Sequence, residues 1–321
     1  MLKPLALLAA LAVSACASAP APPPCSLPQR DRAWVDRALE AWRFASREIT
    51  EIGPVPDFQA VFFSADCVLT SGNALGGGAV DEVTWTARTH GENVPLPDGS
   101  EIPAGVTSFA TGKYFVMSTP TVWEAGKVGE GASLERLMVA VLLHEGSHVA
   151  QIQPYGPRLG ALIERNHLPD SFNDNAVQER FEGNAELAAS VQEETQLFLD
   201  AAAAKDDAEA RRLAREGLRR IRERQARWMV GEDAYLAEAE DLWLTFEGAG
   251  QWTAYQWMVH PRGGAQPVPE AMARFAKGRR WSQTEGFAIV MALDRIGGPG
   301  WKRHAYGDGA RTVLEMLEDL L

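Results

Sequence analysis

His144-Glu145-Gly146-Ser147-His148 sets two imidazoles four residues apart, with a carboxylate next to the first. On an α-helix such residues stand on one face, so both rings can bind one metal ion while Glu145 stays beside it. With six histidines in 321 residues, this spacing around an acid is uncommon by composition alone. The chemistry it points to is zinc-assisted hydrolysis. The ion lowers the pKa of water and polarises a carbonyl, while Glu145 takes the water's proton and returns it to the leaving amine.

The apolar run Leu137-Met138-Val139-Ala140-Val141-Leu142-Leu143 predicts that the motif lies on a buried helix. Ser133 suits its N-cap with Glu135 in the first turn, and Pro154 with Gly156 predicts an end soon after Gln151, which puts the motif in the second half. Two histidines leave a catalytic zinc one protein ligand short. A second helical pattern opens at Asp174 and runs through Val177, Phe181, Leu187 and Val191. It carries Glu179, Glu182 and Glu186, and Glu182 is the first choice for third ligand. Glu247 is the alternative, because Phe246-Glu247-Gly248 repeats the Phe181-Glu182-Gly183 phrase; Glu285-Gly286 is a weaker echo.

From His144 to about Val191 the chain resembles the gluzincin metallopeptidases, which carry the two-histidine motif and then a ligand glutamate on a downstream helix. Glu182-Gly183-Asn184-Ala185 looks like the Glu-Gly-x-Ala version of that helix. The resemblance implies a zincin-like α+β fold, one Zn2+, a peptide or protein substrate, and Glu182 as third ligand. Glu186 stands where relatives place an aspartate that orients the first histidine, so it is the expected partner of the other ring N–H of His144; Glu in place of Asp is a departure from the pattern. The family also supplies an oxyanion donor from a downstream Tyr or His, for which Tyr255 and His260 are the candidates, with Tyr235 behind them. The strand Tyr114-Phe115-Val116-Met117 resembles in position the edge strand along which an extended peptide pairs.

The elements around the motif divide the chain. Trp34, Val35, Ala38, Leu39, Trp42 and Ala45 recur at helical spacing from Asp31 to about Ile49. Val61-Phe62-Phe63, Val83-Thr84-Trp85-Thr86 and the 114–117 run are β-rich and punctuated by Gly76-Gly77-Gly78 and Pro97-Asp98-Gly99, so a small sheet follows. Everything after the motif reads as mostly helical. The expected organisation is one α+β domain over 31–321, with helix plus sheet in 31–130 and a helical part in 131–321. The arginine-rich stretch from Arg211 to Arg227 interleaves with acids and reads as a solvated helix face, and Trp243, Trp252 and Trp257 read as core.

The ends supply an address. Residues 1–15 carry Lys3 and a short apolar run, too short to span a bilayer permanently, and Val13-Ser14-Ala15-Cys16 resembles a bacterial lipobox with Cys16 as the lipidated residue. The Pro-rich tract within 16–30 reads as a spacer. Ala17 after the cysteine implies the outer membrane of the cell envelope, facing the periplasm, with membrane contact through the lipid alone. In an oxidising compartment Cys25 and Cys67 either pair or stay free thiols. A net charge of −12 without an unopposed basic patch argues against nucleic acid, and no feature sets an oligomeric state. Two functional readings follow: a periplasmic zinc peptidase, or a non-catalytic zincin-fold lipoprotein that binds an envelope partner. Glu145 favours the first, because a structural zinc has no use for a base beside an open position.

Overall fold

The computed structural model describes residues 25–52, 59–72, 82–91, 95–169, 171–307 and 310–321. Cys16, its leader, most of the spacer and the Gly76-Gly77-Gly78 turn lie outside the described residues.

The chain opens with α1 (Gln29–Glu48), whose periodic apolar stripe buries Trp34, Val35, Ala38 and Trp42. Among the described residues five strands follow: β1 (Gln59–Phe63), β2 (Cys67–Ser71), β3 (Trp85–Thr89), β4 (Ser108–Ala110) and β5 (Tyr114–Ser118). They pair in the order β3-β2-β1-β5-β4, parallel only between β1 and β5. Alternation explains why β1 and β5 are buried on both faces. Ala60, Phe62, Phe115 and Met117 face the main core. Val61, Phe63, Tyr114 and Val116 form a smaller cluster with Leu96 on the other side. A Cys25–Cys67 disulfide, with Cα atoms 5.6 Å apart, ties the lead into α1 to β2.

Among the described residues ten further α-helices follow: α2 (Pro120–Ala125), α3 (Gly131–Arg165), α4 (Ala176–Phe181), α5 (Ala185–Ala203), α6 (Asp207–Trp228), α7 (Tyr235–Val259), α8 (Val268–Phe275), α9 (Trp281–Gly297), α10 (Gly300–Tyr306) and α11 (Val313–Leu320). The protein is therefore mixed α+β, with a small sheet on the N-terminal side and helices after it. Among the described residues no helix is long and apolar enough to cross a membrane.

Four local expectations change. The strand at 114–117 is internal, and the edge next to α3 is β4; at the tip of the β4–β5 hairpin a Cβ on Gly112 would lie 3.0 Å from Ile152 of α3. Ser133 is not the cap of α3, which starts at Gly131 after Glu130. That helix also does not stop after Gln151 but runs through Pro154 and Pro157 to Arg165, so the motif lies near its middle. An interior proline costs about 3 kcal/mol. The continued helix fully buries Tyr155 and Leu162 against Leu242 and Phe246, worth about 1.5–3 kcal/mol per side chain. The Tyr155 hydroxyl also donates to Arg311 O at 2.6 Å, so tertiary packing overrides the local breakers.

The fourth change concerns the segment from Asp174. It is two helices, broken at Glu182-Gly183-Asn184. Asn184 ends the continuity because its side-chain oxygen accepts from the backbone N–H groups of Glu186 and Leu187, each at 3.1 Å, which caps a new helix. On α6 the surface arginines meet acids, as Arg212 does with Glu209 and Arg220 with Glu193 and Glu216. Trp252 and Trp257 are core residues, and Trp243 packs against Phe172 and Phe246.

Candidate metal centre

Two helices build the site. On α3, His144 and His148 point the same way one turn apart, and the residues between them set the helix's neighbours. Gly146 lets Trp42 of α1 close on the opposite side, where a Cβ would meet the indole at 2.3 Å. Facing the histidines is α7, which presents Glu247 from its middle. Gly250, one turn later, lies flat against the His144 ring, so that a Cβ there would be 2.7 Å from Nδ1. Gly248 meets Gly286 of α9 backbone to backbone, with 2.4 Å between an added Cβ and Gly286 O. Mid-helix glycines cost roughly 1 kcal/mol each relative to alanine. Here they allow three helices to approach closely enough to set one carboxylate against two imidazoles.

The donor atoms converge. His144 Nε2 lies 3.3 Å from Glu247 Oε2, His148 Nε2 lies 3.2 Å from Oε1, and the two Nε2 atoms are 3.0 Å apart. Ligands about 2.1 Å from a tetrahedral zinc stand about 3.4 Å from one another, so a triangle of this size suits one ion with a further position open. Two imidazoles and a carboxylate also suit other divalent transition metals. Among the described residues this is the group of three that could hold a metal ion.

Neighbouring amides hold the ligands. Gln151 donates through Nε2 to Thr245 O at 3.2 Å, which leaves its Oε1 facing His148 Nδ1 at 3.3 Å. That contact places a proton on Nδ1 and turns the Nε2 side toward Glu247. Gln283 of α9 donates to Glu247 Oε2 at 2.9 Å. Burial alone would depress the His148 pKa, but the Glu247 charge outweighs it and pushes His148 up to about 9. Burial would likewise raise Glu247, yet the two imidazoles hold it well below the usual carboxylate range. His148 and Glu247 thus form a buried ion pair.

Glu145 is not part of the ligand group but lies beside it. Burial lifts its carboxyl above the ordinary range, against the pull of His144 and His148. It lines a cleft of about 270 Å³ together with His144, Gln251, Phe275 and Gln283. The cleft's wall from α3 is apolar, formed by Leu137, Ala140 and Val141. An ion with an open position, a carboxylate raised in pKa and an apolar recess can together accept a carbonyl compound and move one proton.

The remaining expected site residues lie elsewhere. Glu182 caps the end of α4 and is exposed, outside the ligand cluster. The break in the expected helix turns it away from α3, and Glu247 stands in the third place. Glu186 is exposed and paired with Arg227, so His144 Nδ1 has no acidic partner and is buried without a hydrogen bond. Tyr255 is buried in an aromatic cluster with Phe275 and Phe287. His260 caps α7, accepts from Arg262 N at 3.0 Å and packs at a tilt against Phe44. Tyr235 packs on Phe172. None of these three lines the cleft.

Sequence reasoning missed Gln151, Gln283 and a second polar cluster. Arg224, fully buried, donates to Glu194 at 2.8 Å, to Glu240 at 2.7 Å and to Glu285 at 3.3 Å. The signal available for Glu247 was Gly248-Ala249-Gly250 inside a long helical pattern, where glycine marks a close approach. Gly183 has nothing within 4 Å of an added Cβ, so its phrase shared the letters without the packing. No protein-family model, no curated protein and no solved structure matches the chain.

Proposed function

We propose that the protein is a zinc-dependent peptidase or related amide hydrolase of zincin-like fold, with His144, His148 and Glu247 as the metal ligands and Glu145 as the base. The observation that carries this reading is the convergence of the three donor atoms beside a cleft that Glu145 lines. A structural site would have four protein ligands and no need of that acid. When bound, zinc supplies Lewis-acid polarisation of a carbonyl and acidifies water.

The chain's own residues supply the rest. Glu145, its pKa raised by burial, accepts a proton from the attacking water and delivers it to the leaving amine. Gln151 keeps the His148 ring in one tautomer, and Gln283 keeps Glu247 aimed at the histidines. Gln251, one turn beyond Glu247, lines the cleft, and its side chain has no hydrogen-bond partner among the described residues. Its carboxamide takes the role expected of Tyr255 or His260, donating to the carbonyl oxygen as charge develops. From the leader and Cys16 we place the protein at the envelope membrane, facing the periplasm, tethered by lipid alone and acting on peptide or protein.

The test is cleavage of peptide libraries by the zinc-loaded protein and by Glu145→Gln. Wild type should cleave, and the variant should keep its zinc while losing turnover by about 10²–10⁴-fold. Full zinc occupancy in wild type with no cleavage across broad libraries would replace this reading with that of a non-catalytic binding protein.

A further inference from the structure

The cleft beside Glu145 contains a cation that the proposed reaction does not use. Arg274, in the last turn of α8, lines it together with Glu145, Gln251 and Phe275. Its position is fixed by its neighbour, because Phe275 is buried with ring centroids 5.8 Å from Tyr255 and 5.5 Å from Phe287. The backbone that carries Arg274 is therefore clamped at the cleft while the guanidinium stays exposed.

Several other arginines of the molecule are answered by acids. Arg280 meets Asp174, Arg180 meets Asp233 and Arg222 meets Asp241. Arg274 has no carboxylate partner among the described residues. Arg274 thus sets a guanidinium with no ion-pair partner among the described residues beside an apolar recess. A guanidinium fork matches a carboxylate in two parallel hydrogen bonds, better than any neutral group. The overall charge of −12 repels anions only weakly beyond a Debye length of about 8 Å, so selection by Arg274 acts at contact range.

We infer that Arg274 is a specificity residue that reads a carboxylate on the substrate, seated next to an apolar side chain held by Leu137, Val141 and Phe275. The inference rests on the hydrolase reading of the same cleft. The carboxylate is either the chain's C-terminus or an acidic side chain, and the test separates the two.

The experiment measures binding of three hydroxamates to the zinc-loaded protein by titration calorimetry, without turnover. All three carry an isobutyl group; beyond it the first ends in a free α-carboxylate, the second in an amidated glutamate and the third in an amidated glutamine. One anionic probe should bind about tenfold more tightly than the neutral one. The Arg274→Gln variant should shrink that preference to about twofold or less, with zinc and the neutral probe bound as before, and Arg274→Lys should restore part of it. The favoured probe names the carboxylate's source.

Equal affinities in wild type, or a preference that survives in Arg274→Gln, would overturn the inference, as would failure of all three probes to bind a fully zinc-loaded protein. Metal analysis of the same samples separates the failures: absence of zinc from wild type sinks the hydrolase reading and the inference together, whereas full zinc with no preference sinks the inference alone.

Discussion

Two buried polar clusters hang on the same pair of helices and have opposite characters. Glu240 and Glu247 lie two turns apart on α7, and Gln283 and Glu285 lie two residues apart on α9. The first cluster closes on itself: Arg224 gathers Glu194, Glu240 and Glu285, while Gln225 donates to Glu240 at 3.0 Å and Ser190 to Glu194 at 2.6 Å. The second leaves its strongest donors converging on one another: two imidazole nitrogens and a carboxylate meet within hydrogen-bonding distance beside an open cleft. A cation of the chain's own completes the first. The second could hold one from outside, so burial closes one cluster on itself and leaves the other able to take an ion.

That contrast breaks most visibly at Arg224. Arg224→Met leaves buried carboxylates uncompensated and should destabilise the fold by about 3–5 kcal/mol, measured by chemical denaturation without metal. A loss well under that would mean the cluster is not what locks α5, α6, α7 and α9 together. Glu285→Gln is the milder partner experiment. Burial and the neighbouring Glu194 and Glu240 push the Glu285 carboxyl well above its usual range, against the pull of Arg224. The amide therefore mimics its protonated form and should cost about 1 kcal/mol or less.

At the open cluster the large effect is on affinity rather than stability. Gln151→Ala should weaken zinc binding by about 10–100-fold by freeing the His148 ring, read by competition with a chromophoric chelator, with denaturation of the metal-free protein little altered. Unchanged affinity would remove Gln151 from the account.

The smallest effect is in pH. With His148 raised to about 9 from 6.5, its attraction to Glu247 is fully present below pH 6.5 and is lost as the pH rises through about 9. Glu247, held below its ordinary 4.5, contributes above pH 4.5 and loses its share as the pH falls through its lowered value. The melting-temperature gap between metal-free wild type and Glu247→Gln should therefore be widest between those limits and shrink toward pH 9. Zinc reverses the trend, because the ion displaces the His148 proton; calorimetry at pH 7 in two buffers should show about one proton released per ion. A gap that widens at high pH would contradict the ion pair.

Much of this was legible in the chain. The His144 motif and its apolar run identify a buried helix, and the β-rich runs before it with helical patterns after it yield the α+β order. What was not legible depends on packing across the sequence. Pro154 reads as a helix stop, but burial of Tyr155 and Leu162 carries the helix onward. Glu182 and Glu247 sit in the same three-residue phrase. Only the contacts of Gly248 with Gly286 and of Gly250 with His144 tell them apart, and those depend on a helix crossing no local pattern encodes. Asn184 was the overlooked local sign, a good cap in the middle of an expected helix.

The central claim is the identity of the ligand triad, and zinc stoichiometry of purified wild type, Glu182→Ala and Glu247→Ala tests it most directly. Wild type and Glu182→Ala should each retain about one zinc per chain after dialysis against a weak chelator, as expected for a three-ligand site, while Glu247→Ala should lose it. Full occupancy in Glu247→Ala, or loss of zinc in Glu182→Ala, would contradict the account.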